Sequence, residues 1–275
     1  MKKFFLISVA ALTVGATAPS QAADLPVKAA PVVAAVYNWT GWYVGVNAGG
    51  AFSQGSPSTT TVFSALGIFA STSVSGPGSI NANGSQKFNS TTFTGGVGAG
   101  YNWQAGRLVY GIEADFNYFN PNGSSTVTAT YPCCAPTNYT ITQGVKTSWL
   151  LTARPRIGYA VNNWLFFATG GLAVTNVKAS WSFTETFYPS AEPTVSTNKT
   201  KTGWVVGGGV EAGLWSNWSA KVEYLYADFG SVSGNGLITT GAAGVVAAAV
   251  NNPFSHSLAL KTQIVRFGLN YKLSN

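Results

Sequence analysis

Apolar runs with a period of two recur eight times in this chain, and the connections between them alternate strictly between long and short. The runs span 41 to 51, 91 to 103, 107 to 119, 147 to 161, 164 to 177, 203 to 214, 218 to 230 and 257 to 273. Period two means strands, because successive side chains in a strand point to opposite faces. Three connections are tight: Gln104-Ala105-Gly106, Asn162-Asn163 and Trp215-Ser216-Asn217. The others, about 52–90, 120–146, 178–202 and 231–256, are rich in Ser, Thr, Asn and Gly. Strands joined in this way run up and down, with every long loop at one end and every tight turn at the other.

The charges obey the same period. In the third run Leu108, Tyr110, Ile112, Ala114, Phe116 and Tyr118 share one parity, and Gly111, Glu113, Asp115 and Asn117 the other. In the fourth, Trp149, Leu151, Ala153, Pro155, Ile157 and Tyr159 oppose Thr152, Arg154 and Arg156. The later runs set Trp204, Val206 and Val210 against Glu211, Val222, Tyr224 and Tyr226 against Lys221 and Glu223, and Val265, Phe267 and Leu269 against Arg266. Glu113, Asp115, Glu211 and Glu223 therefore balance Arg154, Arg156, Lys221 and Arg266. A neutral set of ions on one face and apolar side chains on the other fits a closed sheet, ions inside and lipid outside. A slip of one residue would turn the arginines to lipid, at about 2 to 4 kcal/mol each near the midplane. Closure has a second cause: unpaired backbone groups are too costly in hydrocarbon for a sheet with edges to span it. The reading is all-β, a single eight-stranded antiparallel up-and-down transmembrane β-barrel with short periplasmic turns and long extracellular loops. Trp42, Trp103, Trp149, Trp164, Trp204 and Trp218 lie near run ends, where interfacial belts form.

Three positions test this pattern. Pro155 cannot donate to a ladder, so a bulge or a locally broken bond is expected there. Lys261 shares the lipid parity, which requires either a place above the hydrocarbon or a shift of register. The fifth run is apolar on both parities, and the pattern does not assign its faces.

Composition agrees with a membrane destination. Charged residues make up 8% of the 275, against roughly 25% in ordinary soluble domains, while 46% are hydrophobic and 32 are Gly. Lys2 and Lys3 precede the apolar FFLISVAALTVGATA, and Ser20-Gln21-Ala22 supplies small residues for cleavage after Ala22 or Ala23. Residues 1–22 are thus expected to be a signal peptide, 23–40 a flexible periplasmic lead-in and 41–275 the barrel. The later apolar stretch at 241 to 250 is too short for a spanning helix. Losing Lys2 and Lys3 leaves 13 basic against 8 acidic residues, formally +5. The exported chain carries no basic, aromatic-interleaved patch, so nucleic acid is not an expected partner. Adjacent Cys133 and Cys134 can form only a vicinal disulfide or remain thiols. Gly95-Gly96-Val97-Gly98 and Gly207-Gly208-Gly209 lie on strands with no following helix, which argues against a phosphate loop.

In chain order, ADLPVKAAP, NWTGWYVGVNAGG, GVGAGYNW, ARPRIGYA, GWVVGGGVEAGL, WSAKVEYLYADFG and VRFGLNYK resemble the small alphaproteobacterial outer-membrane proteins of the porin-like, OmpA/OmpX-type eight-stranded barrel family. The resemblance covers essentially the whole chain after the signal. It implies an abundant surface protein that supports envelope integrity, folded by the barrel-assembly machinery. One departure concerns that machinery: such proteins usually close on an aromatic residue, whereas Lys272-Leu273-Ser274-Asn275 follows Tyr271 here.

The leading functional expectation is a structural and surface-interaction barrel, with no enzymatic activity and no cofactor or metal. Its partners would be outer-membrane lipid and lipopolysaccharide, with Lys87, Lys146, Lys178, Lys199 and Lys201 as candidate phosphate contacts, and host or surface ligands unspecified. The alternative is a small porin, in which Gly45, Gly49, Gly96, Gly98, Gly100, Gly207 and Gly209 leave a narrow water path beside the charges. Catalysis or haem ligation would fall to His256, expected in a loop between Ser255 and Ser257 with Asp228 at the loop's other end, or for haem to Tyr131 or Tyr139.

Overall fold

The computed structural model describes residues 37–63, 69, 75–186, 194–238 and 252–273. The residues expected to form a signal peptide and a lead-in, up to residue 36, and the stretch 241–250 lie outside the described residues. Among the described residues the strands are β1 Gly41–Thr61, β2 Phe88–Ala105, β3 Leu108–Phe119, β4 Asn122–Thr130, β5 Asn138–Lys146, β6 Trp149–Val161, β7 Trp164–Glu185, β8 Val195–Gly213, β9 Trp218–Ile238 and β10 Asn252–Lys272, with the helix α1 Ser75–Gly84 between β1 and β2. All pairings are antiparallel, and a closed ring runs β1-β2-β3-β6-β7-β8-β9-β10 and back to β1. The three tight connections carry their strain where short polar or glycyl residues tolerate it, with φ of 63° at Gly106, 52° at Asn162 and 48° at Ser216.

The strand count corrects the sequence reading: among the described residues there are ten strands, not eight. The additional pair, β4 and β5, comes from the segment 120–146, whose Ser, Thr and Asn content reads as loop. It pairs with itself and, through β5, with the upper part of β7. Pro121 explains the break, since it has no N–H with which to carry the β3 ladder onward. The Thr147 amide donates to the Pro121 carbonyl and the Phe119 amide to the Ser148 carbonyl, so β4 and β5 carry the wall on above β3 and β6.

The other long segments also continue the wall. β1 runs to Thr61, β7 to Glu185, β9 to Ile238, and β8 and β10 begin at Val195 and Asn252. The outward face of these extensions is rich in Ser, Thr and Asn because it lies beyond the hydrocarbon, while the inward face keeps buried apolar residues such as Trp181, Phe183, Val232, Phe254 and Leu258, and the backbone ladder continues.

Facing follows the ring. Val109, Glu113, Asp115, Asn117 and Phe119 of β3 are buried, while Leu108, Tyr110, Ile112, Phe116 and Tyr118 are exposed. The fifth run resolves as β7: Leu165, Phe167 and Thr169 point inward, Phe166 and Leu172 outward. Both parities are apolar because the inward residues build an apolar floor with Trp39, Val109 and Ala160. Two girdles ring the outer wall. Trp42, Tyr101, Trp103, Tyr110, Trp218 and Tyr271 make ring contacts near the tight turns, as Phe116 with Trp149 and Trp204 with Tyr226 do at the other edge.

Pro155 produces a broken bond rather than a bulge. β6 pairs with β7 at Ala153 and again at Arg156 in unchanged register, and the Thr169 hydroxyl donates to the Pro155 carbonyl at 2.9 Å. Lys261 does point outward, and the irregularity lies opposite it in β9, where Gly230 has φ 64°. This bulge flips β9 so that Phe229 and then Val232 both face inward. Lys261 is register partner to Asp228, 3.5 Å away, and Asp228 is in turn register partner to Trp204 of the upper girdle.

Outward Val97, register partner of Val46 and Phe116 near the middle of the wall, provides a check on this facing. Val97→Arg is expected to destabilise the folded protein in lipid vesicles by about 2 to 4 kcal/mol, read from urea unfolding; an unchanged midpoint would contradict a lipid-facing Val97.

Candidate functional site: the charged layer of the lumen

Above the apolar floor, alternate positions on five strands turn ions inward at one level. Glu113 and Asp115 come from β3, Arg154 and Arg156 from β6, Glu211 from β8, Lys221 and Glu223 from β9, and Arg266 from β10. All eight are buried, and they meet in one network. Arg154 reaches Glu113 at 2.7 Å, Asp115 at 2.8 Å and Glu223 at 2.8 Å. Arg266 forks between Asp115 at 2.9 Å and Glu223 at 2.8 Å. Arg156 is 2.7 Å from Glu211, and Lys221 is 2.7 Å from Glu113.

Neutral donors complete the carboxylates. The Tyr43 hydroxyl donates to Glu113 at 2.7 Å, Ser219 and Asn270 donate to Glu211 at 2.6 and 2.8 Å, and Thr152 and Asn117 donate to Asp115. Arg156 also lies over the Phe167 ring, 4.4 Å from its centroid, which joins the layer to the floor. Tyr43 and Ser219 were missed from sequence. The first run mixes apolar residues and Gly on both faces, so the inward place of Tyr43 shows only against outward Trp42, Val44 and Val46.

The glycines make room, and that room is filled. A Cβ on Gly49 would lie 2.6 Å from the Arg266 Cα, and one on Gly100 would lie 2.4 Å from the Tyr43 hydroxyl. A pocket within the layer, lined by Tyr43, Asn47, Asp115, Lys221, Arg266 and Asn270, measures about 10 Å³, the volume of roughly one water.

Described residues also lie across both ends of the lumen. The segment before β1 lies across the tight-turn end: the Tyr37 amide donates to Asn163 at 3.0 Å, the Tyr37 hydroxyl to the Asn217 carbonyl at 3.2 Å, and the Trp39 amide to Gln104 at 2.8 Å. Lys272 donates to the Asn38 carbonyl at 2.8 Å. Above the ions, Phe119, Leu150, Leu225, Phe229 and Trp181 form an apolar layer. α1 packs into a second apolar cluster, where Ile80 is buried with Tyr131, Tyr139, Phe183 and Phe254, and it holds the Tyr139 hydroxyl between Ser79 at 2.7 Å and Asn83 at 2.9 Å.

His256 corrects the loop expectation. It lies on β10 with its ring inward, bonded to Thr59 at 2.9 Å and stacked on Trp181, because the inward parity of β10 continues above the membrane. Asp228 is outside the ring against Lys261, so the two do not meet. The Tyr131 hydroxyl donates to Glu185 at 2.8 Å, and burial followed by that carboxylate raises its pKa above the usual phenol value, keeping it a donor. Cys133 and Cys134 form a vicinal disulfide.

The structure divides the five loop lysines. Lys146 and Lys178 are direct register partners on the outer face. Lys199 and Lys201 pair with Val177 and Thr175, whose side chains are buried, and so take the inward parity. Lys87 is exposed between α1 and β2.

A closed antiparallel ring with ions within, apolar side chains without and an aromatic girdle at each edge defines an outer-membrane β-barrel. The family model for the outer membrane protein beta-barrel domain matches residues 8–272, and the chain belongs to that family; it is a protein of the cell outer membrane. It is 35% identical over 281 residues to the 31 kDa outer-membrane immunogenic protein of Brucella melitensis biotype 1, covering 99% of this chain and 100% of that one. It is 36% identical over 141 residues to the 22 kDa outer membrane protein of Rhizobium leguminosarum bv. viciae, covering 50% and 54%. Among solved structures, Neisserial surface protein A is similar over 85% of this chain and 98% of that one, with 12% identity and a TM-score of 0.35.

Removing one partner from a buried ionic network strands the others. Glu113→Gln is therefore expected to cost about 3 to 5 kcal/mol. Combining it with Lys221→Met should cost less than the two single changes together, with a coupling of roughly 0.5 to 3 kcal/mol in urea titrations; strict additivity would refute the contact.

Proposed function

We propose that this protein is a structural and surface-interaction barrel of the Gram-negative envelope, with a filled lumen and with strand extensions that present a polar wall to the exterior. The filling of the lumen carries this reading. Trp39 and Phe167 lie below the ions, the ions neutralise one another around a pocket of about 10 Å³, and an apolar layer lies above, with α1 in a further apolar cluster. A small porin would need a continuous polar path, and the glycines that suggested one instead admit Arg266, Tyr43 and Asn270.

The reading includes no catalytic role, and the separation of His256 from Asp228 supports that. Relatives named outer-membrane immunogenic proteins are in keeping with an exposed outer wall. The barrel-assembly machinery would be the folding partner. Tyr271 faces outward against Trp218 in the lower girdle, so an aromatic residue is presented to lipid even though Lys272 follows it. Lipopolysaccharide would be the partner nearest the extracellular wall.

Planar-bilayer recording of the refolded protein separates the two uses of the barrel. No stepwise conductance above the bare bilayer is expected. Reproducible steps that change in Glu113→Gln would replace this reading with a channel.

A further inference from the structure

The outer wall above the upper girdle carries an ordered polar surface that the sealed lumen does not explain. Across β4, β5, β7 and β8, Asn122, Lys146, Lys178 and Asn198 are successive register partners on the outward face. The next outward row is Ser124, Gly144, Ser180 and Ser196. Gly144 contributes no side chain, and the two rows line a groove of about 490 Å³.

Three observations point to an anion in this groove. First, two lysines stand directly opposite each other, an arrangement that repels within a sheet unless a counter-charge sits between them. Second, the described carboxylates are engaged elsewhere: Glu113, Asp115, Glu211 and Glu223 in the lumen, Glu185 with Tyr131, and Asp228 with Lys261. Third, the groove has a definite height. Leu150 faces Thr175, which places Trp149 of the upper girdle level with Asn176, and Lys178 is the next outward residue above it. A belt tryptophan marks the boundary of the hydrocarbon, so both ammonium groups lie at the level of lipid headgroups. Two amides and three hydroxyls surround them, a donor set that suits phosphate oxygens.

We infer that Lys146 and Lys178, with Asn122, Asn198, Ser124, Ser180 and Ser196, bind a phosphate group of a phosphorylated glycolipid of the outer leaflet. The inference rests on the reading of the chain as a bilayer-spanning barrel with this wall outside. It deepens that reading by naming two of the five loop lysines, and it excludes Lys199 and Lys201, which take the inward parity.

The test uses the full chain refolded into phosphatidylcholine bilayers. Bisphosphorylated lipid A is the probe, its dephosphorylated form is the control, and protease protection of the strands verifies insertion. Lys146→Gln/Lys178→Gln is expected to weaken binding of the phosphorylated probe about tenfold or more, leave the dephosphorylated lipid unaffected and abolish most of the salt dependence. Lys199→Gln/Lys201→Gln is expected to bind as the parent does. Unchanged affinity in the first variant, equal loss in the second, or equal binding of the two lipids would overturn the site while the barrel stands. Displacement of the probe by millimolar inorganic phosphate would overturn the assignment to a lipid. Failure of the strands to gain protease protection would remove the barrel reading and the site together.

Discussion

Ion pairs that cross the lumen, rather than run along one hairpin, hold the ring to its dimensions. Arg154 on β6 reaches Glu223 on β9, and Arg266 on β10 reaches Asp115 on β3, each pair separated by two intervening strands of the wall. Taking charges out of water is expensive, and once they are buried the loss of one partner leaves an uncompensated charge on another strand. A strand displaced by one position would lose its pairs inside and expose charge outside. The outer apolar face, the girdles and the closed β1 to β10 seam all presuppose that arrangement.

Much of this was legible where lipid forces a contrast. On β3 every outward residue is apolar and the inward set carries the acids, so alternation alone placed Glu113 and Asp115, and the same holds for Arg154 and Arg156 on β6. The contrast fails where the interior is itself apolar, as at Leu165 and Phe167 on β7. It fails again where the exterior is water, as along Thr126, Thr128, Thr140 and Thr142 of β4 and β5. There the ladder continues but composition reads as loop. Tyr43 escaped for a related reason: a phenol among Gly and Val looks apolar until its hydroxyl is seen against Glu113.

His256 shows how a local motif misleads when the strand beneath it is unseen. Between two serines in a polar segment it reads as a solvated residue, yet the parity set by Arg266 and continued through Thr262 and Leu258 turns it into the barrel. Long-range periodicity decided its surroundings, and the neighbouring serines did not. The bulge at Gly230 is the complementary case, in which one residue with positive φ reverses the parity of all that follows on β9.

The contact between Lys272 and Asn38 joins the last strand to the segment that precedes the first. The Lys272 ammonium also stands over the Tyr37 ring, 5.3 Å from its centroid. Both contacts come from β10, the strand that pairs with β1 to close the ring. Because Tyr37 and Trp39 also bond to Asn163, Asn217 and Gln104, this short segment links all three tight turns to one another and to the final strand.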